Sequence, residues 1–324
     1  MKNSKYILLS ILSVFLLFAA CDEDDSLINE TKILAEYLGE FVNTDPFPAM
    51  IKSTDVHNAV LTSSTDMYII DTRAAADYNT GHIRGAVNVA FSDLLSHYEF
   101  NSLESKETVT ILCYSGQGAS YGTSLLRMLG YSNVKAMTWG MCSWNTATSD
   151  YWVSGISNAK ATQMVKTAGT KNDAGNLPVI NTGESTGEAI LRARVEELFE
   201  IGVGDAKITN ADAFLNSATN YTVNYWKQEH YEIGHIPESV QYTPKASLSY
   251  AQELTTLPTD KTIVVYCYTG HTSSFVAAYL RVLGYEAKTL LFGANGMMYD
   301  KMLKEGDMTI FKEESDVLDY ELVQ

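Results

Sequence analysis

Two cysteines stand where a nucleophile could work. Residues Thr108–Cys113 read TVTILC and residues Thr262–Cys267 read TIVVYC, each a short apolar run ending in a thiol. Polar loops containing glycine follow: Tyr114, Ser115, Gly116, Gln117, Gly118 and Ala119 in one case, Tyr268, Thr269, Gly270, His271, Thr272 and Ser273 in the other. A free thiol has a pKa near 8.5, so only about 3% is the nucleophilic thiolate at pH 7. At the end of a buried strand and just before a helix, main-chain N–H groups can converge on the sulfur, and the helix N-terminus adds roughly half a positive charge. A pKa brought near 7 makes about half of the thiol reactive. Glycines at 116, 118 and 270 allow the backbone to turn into such a cradle. The same cradle suits an anion, so covalent catalysis on an anionic substrate is the chemistry these residues offer. The plainer alternative is a buried structural thiol. Two thiols at matching strand-to-loop positions favour the nucleophile.

The elements that must position them repeat. Gly130-Tyr131 lies 17 residues beyond Cys113, and Gly284-Tyr285 lies 17 beyond Cys267. Gly81-His82-Ile83 precedes the first cysteine by 32 residues, and Gly234-His235-Ile236 precedes the second by 33, each with a tyrosine (Tyr78, Tyr231) three residues earlier. Three landmarks recur in one order at offsets of 153 and 154, which marks an internal duplication. Residues 67–71, 221–225, 133–137 and 287–292 read as further strands, and the apolar spacing after each cysteine loop reads as a helix ending at Leu-Gly-Tyr. Alternating strands and helices predict a parallel α/β sheet in each half. Residues 157–176 read as a linker, 184–201 as a helix, and 303–324 as a solvated acidic tail.

With 324 residues the chain has room for two domains. A formal charge of −16 offers no basic stripe for nucleic acid. The histidines are scattered, and no Cys/His cluster has metal-ligand spacing. Cysteines at 21, 113, 142 and 267 are too sparse for a disulfide scaffold. Lys2, Lys5 and the apolar run to Ala20 read as a secretory leader, too short for a comfortable membrane span. Its ending, Leu17-Phe18-Ala19-Ala20-Cys21, resembles a lipobox, which implies cleavage before an acylated Cys21. The acidic residues Asp22 to Asp25 that follow resemble the surface-export signal of Bacteroidetes lipoproteins. The expectation is a lipid-anchored bacterial envelope protein at the outer membrane or cell surface.

The chain as a whole resembles the tandem rhodanese-like proteins, a sulfurtransferase family. The first half carries Asp71, Arg73, Asp77-Tyr78, Gly81-His82-Ile83-Arg84-Gly85-Ala86-Val87-Asn88, the loop from Cys113 to Gly116, and Trp139-Gly140-Met141 with Trp144. The second half keeps Gly234-His235-Ile236 and the loop from Cys267 to Ser273, but puts Asn224, Trp226 and His230 where Asp71, Arg73 and Asp77 stand. In the first loop Gly118 and Ala119 replace residues that are more often polar or basic. The resemblance implies two rhodanese-like domains, each a mainly parallel sheet flanked by helices. The expected divisions are a leader at 1–20, a tether and first helix at 21–45, a first domain at 46–156, a linker at 157–183 and a second domain at 184–324.

It further implies a small anionic sulfur donor such as thiosulfate, a persulfide on cysteine, and a thiol or cyanide acceptor, with neither metal nor organic cofactor. Cys267 and Cys113 are the candidate nucleophiles. Cys267 ranks slightly ahead, because its loop keeps the Thr272 and Ser273 hydroxyls and related two-domain enzymes act through their second domain. The loop residues 114–119 and 268–273 are the candidate substrate cradles. Asp71 and Arg73 could pair to brace the first site or remain a solvated pair. His271 could assist an anion or face solvent, His82 and His235 suit a turn, and Arg127 and Arg281 read as surface residues. Cys142 could resolve a persulfide or pair with Cys113; a small apolar core residue is the alternative. The competing function is a catalytically silent docking lipoprotein on the same fold. A phosphatase or arsenate reductase needs an arginine about six residues after the cysteine, where Ala119 and Ser273 stand.

Overall fold

The computed structural model describes residues 29–324; the leader and Cys21 lie outside the described residues. Among the described residues, ten strands form two five-stranded sheets. The first contains β1 (Met50–Ile51), β2 (Met67–Asp71), β3 (Val87–Asn88), β4 (Thr108–Leu112) and β5 (Val134–Met137), in the order β1-β5-β4-β2-β3. The second contains β6 (Lys207–Ile208), β7 (Tyr221–Asn224), β8 (Val240–Gln241), β9 (Ile263–Tyr266) and β10 (Ala287–Leu290), in the order β6-β10-β9-β7-β8. Every pairing is parallel, so one α/β plan has been built twice.

Local chemistry explains the central elements. β4 and β9 are buried at every position, and runs rich in β-branched residues suit strands covered on both faces. The helices Gln117–Met128 and His271–Val282 follow them. Both stop at left-handed glycines, Gly130 at φ +94° and Gly284 at φ +90°. The next tyrosine N–H reaches back to Leu126 or Leu280, which satisfies a terminal carbonyl. The helix expected from residue 184 starts at Gly187, because the Thr186 hydroxyl accepts the Ala189 N–H and caps it there.

The two units pack through these same helices. Leu125 and Leu126 share one apolar cluster with Phe275 and Tyr279, and the Ser124 hydroxyl donates to the Phe275 carbonyl at 3.0 Å. The helix Glu30–Leu38 lies on Gly187–Ile201. Its Glu30 carboxylate accepts hydrogen bonds from Thr182 and Gly183.

The chain leaving each unit then binds the other. Val165, beyond the first unit, forms an antiparallel bridge with His235 in the second; Val323, beyond the second, forms one with His82 in the first. Residues 303–324 are therefore not the solvated tail that their charge suggested. Phe311 is fully buried and stacks on Trp152 at 5.2 Å. The Trp144 indole donates to the Glu321 carbonyl at 2.9 Å. Tyr320 stacks on His57 at 3.6 Å. Glu313, Glu314, Asp319 and Glu321 face solvent, so the acidic residues are the outer side of a strap whose apolar residues bury. No helix of the described residues is long and apolar enough to cross a membrane.

Deleting residues 318–324 leaves the Trp144 indole without its acceptor and removes the Tyr320 ring from His57. The expected cost is about 2–4 kcal/mol. Urea unfolding of the deletion variant tests this; an unchanged midpoint would show that the strap contributes no stability.

Candidate active site

Each cysteine sits one residue beyond the carboxyl end of a central strand, Cys113 after β4 and Cys267 after β9. Gly116 and Gly270, both at φ +85°, turn the chain into the following helix; a residue with a side chain would be strained there. The Cys267 sulfur accepts the N–H groups of Gly270 at 3.1 Å and Ser273 at 3.4 Å, and lies 3.6 Å from the Ser273 hydroxyl. The Cys113 sulfur accepts the Ala119 N–H at 3.3 Å. Main-chain donors thus point at both sulfurs, and such donors favour negative charge. Access divides the two. Cys113 is partly exposed, whereas Cys267 is 3% exposed. The sequence ranked Cys267 first on its hydroxyls; exposure ranks Cys113 first.

A second turn clamps each loop from behind. Trp139-Gly140 and Phe292-Gly293 all adopt positive φ. Met141 and Cys142 N–H bond to the carbonyls of Cys113 and Tyr114, and Ala294 and Asn295 N–H bond to those of Cys267 and Tyr268. A β-carbon on Gly140 or Gly293 would collide with the cysteine carbonyl. Phe292-Gly293 repeats the aromatic-glycine pattern of Trp139-Gly140, 25 residues beyond Cys267 against 26 beyond Cys113, and the positive φ angles show that both dipeptides make the same turn.

The two cysteine loops also grip each other. His271 is buried, and its Nε2 lies 2.9 Å from the Ser115 carbonyl of the first unit. Gln117, which holds the same loop position in the first unit, donates from Nε2 to the Leu290 carbonyl at 3.3 Å and accepts the Phe292 N–H at 3.0 Å. Each side chain covers the other loop's glycine, so a β-carbon on Gly116 would meet His271 at 2.6 Å and one on Gly270 would strike Gln117. His271 is therefore neither solvent-facing nor placed to hold an anion. Burial pushes its pKa down to about 4, against a smaller upward effect of the Ser115 carbonyl. It is neutral at pH 7.

Other residues named from the sequence fall into place around this clasp. Tyr114 bonds to Asp77 and packs at a tilt against Tyr151 with ring centroids 4.8 Å apart. Tyr268 bonds to His230 at 2.5 Å and stacks on Trp226 at 5.4 Å. Both rings anchor the loops rather than face the sulfur. A cavity of about 290 Å³ opens beside Tyr114, lined among others by Arg73, Asp77, Tyr151 and Leu322. Asp71 and Arg73 form a buried forked ion pair, 2.7 Å at its closest, and Arg73 also donates to the Gly81 carbonyl at 2.8 Å. The pair ties the end of β2 to the Gly-His-Ile turn. His82 and His235 lock those turns by bonding to the carbonyls of Tyr78 and Tyr231 and stacking on the same rings. Arg127 and Arg281 are not free surface residues; they are partly buried and donate to the carbonyls of Val134 and Ala287. Ser115, Thr269 and Ser273 are buried, and Thr272 is partly exposed. Cys142 is fully buried beside Trp139, Trp152 and Phe311, and burial pushes its thiol up to about 12. That environment fits a small core residue and makes a poor resolving thiol. Among the described residues Cys113, Cys142 and Cys267 form no disulfide.

Comparison with known proteins gives a match to the rhodanese-like domain model at residues 53–147 and again at 223–297. A thiosulfate sulfurtransferase, GlpE, of Shewanella oneidensis is 25% identical over 87 residues, which is 27% of this chain and 84% of that protein. Among solved structures, a thiosulfate sulfurtransferase from Pseudomonas aeruginosa aligns over 87% of this chain and 49% of its own, at 17% identity and a TM-score of 0.32. A 3-mercaptopyruvate sulfotransferase from Escherichia coli aligns over 76% of this chain and 98% of its own, at 15% identity and a TM-score of 0.29.

The buried His271 makes stability depend on pH. In the unfolded chain it takes up a proton near pH 6.5; in the folded chain only near pH 4. Between those values the unfolded state binds more protons, so stability falls as pH falls, by up to about 3 kcal/mol at the lower limit. Above pH 6.5 the residue contributes no slope. Urea midpoints of wild type and His271→Gln between pH 7.5 and 4.5 test this: the wild type should lose more, and equal losses would contradict a neutral, buried imidazole.

Proposed function

The chain belongs to the rhodanese-like sulfurtransferase family, and on that premise we propose that it carries sulfane sulfur as a persulfide on Cys113. The observation that carries this reading is the partly exposed Cys113 at the end of β4 with the Ala119 N–H aimed at its sulfur. In the first step the Cys113 thiolate attacks the outer sulfur of a thiosulfate-like donor. The donor's S–S bond breaks, sulfite leaves with the bonding pair, and a persulfide anion remains on Cys113. In the second step a thiolate or cyanide attacks the outer persulfide sulfur, and the Cys113 thiolate departs as leaving group. Charge and atoms balance at each step, and the covalent carrier does the work of a cofactor. The Ala119 N–H, 3.3 Å from the Cys113 sulfur, offers a hydrogen bond to the attacking and departing sulfur.

Cys267 has the fuller set of sulfur contacts but little exposure. We assign it to holding the second loop, which supports the first. The buried second sulfur also favours a competing reading, in which the protein docks partners without turnover. The proposal includes an anchor: acylation of Cys21 places both units at a bacterial envelope membrane, since acyl chains contribute about 0.8 kcal/mol per buried CH₂.

Intact-mass measurement after incubation with thiosulfate should show a gain of one sulfur in the wild type and in Cys267→Ser, and no gain in Cys113→Ser. Loading that survives Cys113→Ser and disappears in Cys267→Ser would transfer the role to the second site. No loading with thiosulfate, organic persulfides or polysulfide would favour the docking module.

A further inference from the structure

The loop from Cys113 to Ala119 carries no charged side chain, and the nearby Arg73 is committed to Asp71. An anionic donor arriving at Cys113 therefore finds no cation within its own loop or in that pair. The second unit provides one. A β-carbon built on Gly118 would lie 3.6 Å from the Cys113 sulfur, 3.8 Å from Val203 and 3.9 Å from the Lys207 ammonium nitrogen. Sulfur and ammonium are thus no further apart than the sum of the first and last distances, and they flank a residue without a side chain. Lys207 forms no ion pair among the described residues, whereas Lys32, Lys171, Lys227 and Lys245 each face a carboxylate.

The arrangement is confined to one of the two sites. Lys207 in β6 pairs with Thr289, two residues beyond the first paired residue of β10; Met50 in β1 pairs with Ala136, two beyond the first paired residue of β5. Met50 therefore holds in the first sheet the place that Lys207 holds in the second, and a thioether has no charge to offer. The cation accompanies the exposed cysteine, and its uncharged counterpart belongs to the unit that supplies that cysteine.

We propose that Lys207 is the anion-docking residue of the Cys113 site, contributed across the interface by the second unit. It holds the anionic head of the sulfur donor while Cys113 attacks the outer sulfur, and it stays beside the sulfite that departs. This rests on Cys113 being the sulfur carrier, but the docking itself can be read without turnover.

The test uses the full chain with Lys207→Met, the residue found at the matching position, and Lys207→Arg. Alkylation of Cys113 is followed by peptide mass spectrometry with iodoacetate, an anion, and iodoacetamide, its neutral counterpart. A changed thiol reactivity alters both rates together, so their ratio isolates anion docking. The iodoacetate-to-iodoacetamide ratio should fall about fivefold in Lys207→Met, stay within about twofold of wild type in Lys207→Arg, and lose most of this difference in 0.5 M salt. With thiosulfate, KM should rise about fivefold or more in Lys207→Met with kcat little changed. A ratio unchanged in Lys207→Met, or a fall in kcat with KM unmoved, overturns the assignment. A shifted ratio without any sulfur loading in the wild type would leave the docking cation standing and remove the sulfur-transfer reading.

Discussion

The structure depends on two polar side chains that must not be left unpaired in a buried interface. Gln117 and His271 hold one position in each cysteine loop, and each bonds to main-chain atoms of the opposite unit. An unsatisfied buried donor or acceptor costs about 1–3 kcal/mol, so separating the units would expose or strand several such groups together with the apolar helix faces. The clasp therefore fixes the orientation of both loops whenever the units are docked. A nucleophile gains from such rigidity, because donors aimed at a sulfur help only if they stay aimed.

Duplication did not keep the two sites equal. In the first unit Asp71 and Arg73 form a buried pair beneath the Gly-His-Ile turn. In the second, Asn224 donates to the Tyr266 hydroxyl at 2.7 Å and Trp226 packs edge-on against that ring. Neutral groups stand here in place of an ion pair, which removes two buried charges but leaves Asn224 Oδ1 and the Trp226 indole N–H without partners among the described residues. The loop tyrosines tell the same story: Tyr114 is held by a carboxylate, Tyr268 by His230, which is bonded in turn to Asp307 at 2.9 Å. The second unit has been rebuilt as a packed support, and its cysteine is correspondingly closed.

Much of this was legible in the residues. The repeated strand, loop and Leu-Gly-Tyr ending gave both sheets and both helices, because β-branched runs and left-handed glycines act locally. The cysteine loops followed from the same local signals. What failed was everything decided between the units. His271 and Gln117 look like ordinary loop residues until their partners, more than 150 positions away, are known. Arg281 looked like a surface residue because its helix seemed to end in solvent. The strap was hidden by its carboxylates, although Phe311, Tyr320 and Leu322 carried an apolar signal inside the acidic run. Lys207 had no motif at all, since a lysine in a two-residue edge strand is unremarkable until Gly118 is placed beside it.

The exchanged straps explain why a divided site is physically reasonable. A cation contributed from one unit to a nucleophile on another helps only if the two hold still within a fraction of the distance between them, since Coulomb attraction weakens as they separate. Bridges at Val165–His235 and Val323–His82 tie each Gly-His-Ile turn to chain arriving from the other unit, and the central clasp fixes the loops between them. Three separated attachments suppress both hinge and twist. The second unit thereby keeps a reason to persist with a buried cysteine: it supplies the wall, the brace and the charge for the thiol that remains open.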